Sequence, residues 1–101
     1  MKVYISQPYD NKSYVDLETD RAYAIKNLAK FGHEPIDDYV LDESVHSRDT
    51  KIANLSRDLL KIAEADAVYF LNGWEDSPRC KVERQVCELY DIKIYDPREY
   101  Y

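Results

Sequence analysis

Apolar residues recur along this chain in two periods, and the periods alternate. From about Val15 to Phe31 they return at helical spacing. Leu17, Ala24, Leu28 and Phe31 mark one buried stripe, and Gly32 follows as a C-terminal stop. From about Asp49 to Ala65, Ile52, Leu55, Leu59 and Ile62 form a second apolar face, with Asp58 on its flank. Short β-branched and aromatic runs lie around these helices. Lys2 to Ser6, KVYIS, alternates, with Val3 and Ile5 on one side and Tyr4 and Ser6 on the other. Ala67 to Leu71 is a continuous strand-like run, and Ile92 to Tyr95 reads as the last strand. His33 to Ile36 reads as a short second strand.

A third helix follows the Ala67–Leu71 run after a tight loop, Asn72 to Asp76, whose one glycine is Gly73. Ser77 can accept an orphan N–H as N-cap, and Pro78 at the next position loses nothing there. At roughly 100° per residue, Cys80, Glu83, Val86, Cys87 and Tyr90 share one face. Strands alternating with helices imply an α/β fold, a single-domain three-layer α/β/α sandwich with a small parallel sheet (Rossmann/flavodoxin-like). Ligands of such sheets bind beyond the carboxyl ends of the strands. Three loops are expected there: Gln7 to Tyr14, the acidic stretch Asp37 to Ser47 with a turn of helix near Tyr39 to Ser44, and Asn72 to Ser77. The start of the third helix lies at the same rim, and helix N-termini favour anions.

Glu83 is out of place on its mostly apolar stripe. A lone carboxylate facing a core is costly unless it is paired or floors a cleft, and a protein can tune such a group. The other reading is a half-buried helix on which Glu83 salt-bridges Arg79 or Lys81.

Composition narrows the choices. At 101 residues the chain holds one domain, 1–101, with no internal repeat or linker. A net charge of −6 argues against a nucleic-acid polymer or an anionic membrane as partner, though not against a small anion held by local donors. No apolar run approaches the roughly 20 residues that span a bilayer, and Lys2 leads directly into VYIS without a signal peptide, so a cytoplasmic protein is expected. Cys80 and Cys87 lie roughly 10 Å apart along one helix, too far for a disulfide, and are expected as reduced core thiols. His33 and His46 are isolated, so no metal is expected. Ten tyrosines suit an interface with a neighbouring subunit, and the tail Asp96 to Tyr101, with its two terminal tyrosines, is either a loose end or a segment that docks on such a neighbour.

Three separated pieces carry a resemblance across nearly the whole chain: VYISQP, RDLLKIAEAD and GWEDSPRCKVE. Together they resemble the nucleoside 2-deoxyribosyltransferase-like superfamily. More closely, they are similar to its small phage and bacterial branch catalogued as a domain of unknown function, and to 2'-deoxynucleoside 5'-phosphate N-hydrolases. The resemblance puts Tyr4 at the family's catalytic tyrosine. Asp58, eight residues before Asp66, falls at its catalytic aspartate, and Glu83 at its nucleophile. Two positions depart from the pattern. Gln7 and Arg79 stand where nucleotide-using relatives have glycines that let backbone N–H groups approach a 5'-phosphate. Arg79 could supply a charge-assisted contact itself, and Gln7 could fill space and shrink the pocket.

The resemblance implies cleavage of the bond between a sugar C1' and a nucleobase, with no cofactor. A carboxylate stabilises an oxocarbenium-like transition state and can trap it as a glycosyl ester, which water or a second base then resolves. Glu83 is the expected nucleophile. Tyr4 would orient it, and Asp58 would engage sugar hydroxyls or help protonate the leaving base. Ser6, Gln7, Pro8, Asp38, Trp74, Ser77 and Arg79 are the expected substrate-binding residues. Trp74 is open to two readings, a base-stacking lid or a loop anchor packed on the sheet. The implied partner is a nucleoside or nucleoside monophosphate, and the implied assembly a homodimer or larger homo-oligomer. A catalytically inactive nucleotide-binding or sequestering protein is the alternative, and a structural module with a vestigial pocket a third.

Overall fold

The computed structural model describes residues 1–9, 12–36 and 48–96, with the backbone alone at 48–50. Four strands, β1 (Lys2–Ser6), β2 (Glu34–Pro35), β3 (Ala67–Phe70) and β4 (Lys93–Tyr95), form an all-parallel sheet in the order β2-β1-β3-β4. The helices are α1 (Tyr14–Lys30), α2 (Arg48–Glu64) and α3 (Pro78–Leu89), and a short 3-10 turn spans Trp74–Asp76. From β1 the chain steps to one neighbour and then returns to the other. The junction of β1 with β3 is therefore the place where the strand order reverses, the usual ligand crevice of an open parallel sheet.

Side chains alternate across β1 and β3 and so build two cores. Val3, Ile5, Ala67, Tyr69 and Leu71 face Ala24 and Leu28 of α1. Tyr4, Val68 and Phe70 face Ile62 of α2 and Cys87 of α3. Helices thus cover both sides, which is the three-layer α/β/α fold. Burying a side chain of Val, Leu or Phe size stabilises the fold by roughly 1.5–3 kcal/mol, so these two layers carry most of the hydrophobic term. Two polar anchors tie α1 to the sheet: Asn27 donates to the Tyr69 hydroxyl at 3.3 Å, and Gln7 Nε2 donates to the Leu17 carbonyl at 2.6 Å.

Three expected core positions are exposed: Phe31, Ile52 and Tyr90. Phe31 is the C-cap of α1 rather than part of its stripe. Gly32 takes a left-handed φ of 74°, and the His33 N–H reaches back to the Leu28 carbonyl at 2.9 Å, a Schellman turn that reverses the chain. The buried stripe of α1 instead includes Arg21 and Asn27. Ile52 is exposed for a reason of length. A 17-residue helix is about 25 Å long, whereas strands of four or five residues span about 13–17 Å, so α2 docks through its last turns and overhangs at its start. Tyr90 lies past the end of α3, which stops at Leu89. Asp91 takes a φ of 60°, and the Ile92 N–H bonds the Cys87 carbonyl at 2.9 Å, the same stop as at Gly32 but without a glycine. Asp91→Gly should therefore stabilise the protein, by roughly 0.5 kcal/mol, read as a shift of the urea midpoint at unchanged slope. The second strand is shorter than expected, two residues rather than four. Asp38 and the helical turn expected near Tyr39 lie outside the described residues, as does the tail beyond Asp96. Among the described residues no helix is long and apolar enough to cross a membrane.

Candidate active site

The alternation of β1 sends Tyr4 and Ser6 to the side of the sheet that α3 covers. The start of α3 is fixed by its cap: the Ser77 hydroxyl accepts the Cys80 N–H at 3.3 Å, and Pro78 takes the first helical position. From that start, Arg79 and Glu83 lie four residues apart on one face, and Glu83 points back at β1.

Glu83 is completely buried, at 0 % exposure. Its Oε1 accepts the Tyr4 hydroxyl at 2.9 Å, and its Oε2 accepts the Ser6 hydroxyl at 3.3 Å. Arg79 Nη1 donates to both oxygens, at 2.9 and 3.2 Å, and also to Asp58 Oδ2 at 3.2 Å. The other arm of the guanidinium donates to the Gln7 carbonyl, and the group lies over the Tyr9 ring, 4.4 Å from its centroid. Lys61 stands behind Asp58 at 4.0 Å. An unpaired buried carboxylate would cost several kcal/mol, and this network of ionic hydrogen bonds offsets that cost.

Burial pushes the Glu83 carboxyl up to about 7 from an ordinary 4.5. Arg79 works against the rise, Asp58 adds to it, and the hydroxyls of Tyr4 and Ser6 oppose it. An ion pair ordinarily lowers an acid. Here desolvation wins because the acid is wholly enclosed. Burial also works against the Arg79 charge, but Glu83 foremost outweighs it, and the guanidinium is held protonated. Burial, and then the Glu83 charge, raise the Tyr4 pKa, so its phenol stays a proton donor. Cys80 is raised by burial, and Cys87 to about 11 by burial and Glu83, so both are poor thiolate sources.

Of the residues expected at the site, Tyr4, Ser6, Gln7, Asp58, Ser77, Arg79 and Glu83 come together. Gln7 contributes its backbone carbonyl, while its side chain is buried against α1. Pro8 lies against the Gly73 turn, where a Cβ would meet its ring at 3.7 Å. Trp74 packs edge-on against Phe70 at 6.0 Å under the Arg84 guanidinium at 4.4 Å, as the loop-anchor reading expects. Arg84 also pairs with Asp96 at 3.3 Å, tying the turn to the end of β4. Sequence reasoning missed one participant among the described residues. Tyr9 offered no signal, being one tyrosine in a polar loop. Arg79 as the hub was half visible, because its four-residue spacing from Glu83 predicts the ion pair but not the reach to Asp58. A cavity of about 220 Å³, lined by Lys2, Glu34, Pro35, Ile36 and Glu64, opens at the amino end of β1, away from this chemistry.

A family model described as Domain of unknown function (DUF4406) matches residues 1–96. The chain belongs to that family. No curated protein and no solved structure matches it. The DUF4406 match takes in β1 through β4 and every residue of the Glu83 cluster.

Proposed function

We propose that this DUF4406 protein cleaves the N-glycosidic bond of a (deoxy)nucleoside or nucleoside 5'-monophosphate, with Glu83 as nucleophile. The observation that carries the reading is the convergence of Tyr4, Asp58 and Glu83, from β1, α2 and α3, on one point at the β1–β3 junction. The resemblance noted above assigns those three residues to this chemistry. A Glu83 oxygen attacks C1' as the C1'–N bond breaks. The electron pair leaves with the base, which takes a proton from solvent that Asp58 helps deliver, and a glycosyl ester remains. Water resolves that ester in hydrolysis, or a second base in transfer. Of the two outcomes, hydrolysis is favoured. Tyr4 donates to Glu83 and orients it.

The second reading is a nucleotide-binding protein without turnover. It is favoured by one observation, the occupation of both Glu83 oxygens by Arg79. We also propose that the protein is cytoplasmic and that it assembles as a homo-oligomer, the assembly being supported by exposed tyrosines at positions 14, 23 and 90. Chromatography of deoxynucleosides, ribonucleosides and their monophosphates after incubation with the protein separates the two activities. Release of free base is the expected result. Retention of intact nucleotide with no base would select the binding protein instead.

A further inference from the structure

Among the described residues, the groups within reach of the Arg79 guanidinium are hydrogen-bond acceptors or a π-face, with the Tyr4 hydroxyl at 3.4 Å and the Cys80 sulfur at 4.0 Å on its edge. Glu83 offers both oxygens, Asp58 one and Gln7 its carbonyl, and the Tyr9 ring roofs the group at 4.4 Å. The hydroxyls of Tyr4 and Ser6 already donate to Glu83. The result is a flat slot shaped for a planar cation, with the chain's own guanidinium inside it. Glu83 lies at the bottom with 0 % exposure. A carboxylate so enclosed cannot touch any external molecule while Arg79 is in place.

We infer that Arg79 is a latch: its guanidinium fills an acceptor-lined slot over Glu83, must swing out before a ligand reaches the carboxylate, and leaves a slot that takes a planar, donor-rich group. The side chain can do this without moving the fold. Arg79 is in the first turn of α3, its side chain keeps 15 % exposure, and it hangs on rotatable single bonds at the mouth of the site. Guanidinium, amidinium and amino-bearing heterocycles fit the slot, since each presents several N–H groups in one plane and a face for Tyr9. Simple monoanions do not, because two carboxylates line it. The inference rests on the glycosidase reading only in treating Glu83 as the group worth guarding, and it is testable without turnover.

The test is labelling of Glu83 by a water-soluble carbodiimide, read by peptide mass spectrometry on wild type, Arg79→Ala and Arg79→Lys. At about pH 5 a carboxyl with a pKa near 7 is protonated and reactive, so differences report access rather than ionisation. Arg79→Ala should label at least about tenfold faster, the factor carried by a single charge-assisted hydrogen bond. Arg79→Lys should fall between, because an ammonium lacks the fork that spans Glu83, Asp58 and the Gln7 carbonyl. Millimolar methylguanidinium should slow labelling of Arg79→Ala back toward the wild-type rate and leave wild type unchanged. Equal labelling of wild type and Arg79→Lys, or no protection of Arg79→Ala by methylguanidinium, overturns the inference. Because labelling needs no substrate, that failure is separate from an absence of base release.

Discussion

Glu83→Gln should abolish base release, by a factor on the order of 10³ or more, and leave the protein folded. An amide oxygen can still accept the Tyr4 hydroxyl, and the side chain keeps its volume at a fully buried position. It cannot form a glycosyl ester, because an amide is a far weaker nucleophile. Stability should change little, since two effects oppose. The variant removes an acid that is costly to ionise in the interior, and among the described residues it leaves the buried Arg79 paired with the Asp58 carboxylate at 3.2 Å. Glu83→Ala would be a poorer probe, because it adds a cavity to the lost charge. Chromatographic base release and the far-UV circular dichroism of wild type and Glu83→Gln decide the matter. A folded Gln variant retaining a tenth or more of the wild-type rate would remove Glu83 from the nucleophile's role.

The reach of the sequence is clear at particular residues. The fold class was legible because helical and strand periods alternate, and a helix between successive strands calls for a parallel sheet with crossover connections. The cap at Ser77 was legible because Ser-Pro before an apolar stripe has one good structural use. Glu83 was legible as an anomaly, a carboxylate where the period demands an apolar side chain. What failed were ends and partners. Phe31 and Tyr90 continue their stripes in sequence, but the chain turns at Gly32 and Asp91 before they can be buried. Nothing in the period marks Asp91, since aspartate only tolerates a left-handed φ. Trp74 has two plausible surroundings in sequence, and the choice between them depends on Arg84, ten residues away on α3. The hub role of Arg79 depends on how α2 lies beside α3, which is a tertiary fact. Asp58 meets Arg79 at 3.2 Å only because both helices cover the same face of the sheet.

Stability and activity should run in opposite directions over one pH window. Glu83 has its folded-state pKa raised from 4.5 to about 7, so between those values the folded protein holds a proton that the unfolded chain has lost. Stability therefore falls as pH rises through that window, at up to 1.36 kcal/mol per pH unit and on the order of 3 kcal/mol in all. A nucleophile needs the ionised form, so kcat/KM should rise over the same range with an apparent pKa near 7. Burial raises this value foremost, and the groups that adjust it come from three elements. Tyr4 on β1 and Arg79 on α3 hold the carboxylate down, and Asp58 on α2 pushes it up. Arg79→Ala should accordingly move the limb to higher pH. The latch sharpens the expectation. If a ligand displaces Arg79, the bound state loses the cation that favours ionised Glu83. The limb of kcat, which reports the complex, should then lie above the limb of kcat/KM, which reports the free protein. Urea midpoints and rate profiles measured across the same buffers test both halves. A rate limb at the ordinary carboxylate range, or one unmoved in Arg79→Ala, would show that the reacting group is not the Glu83 of this cluster.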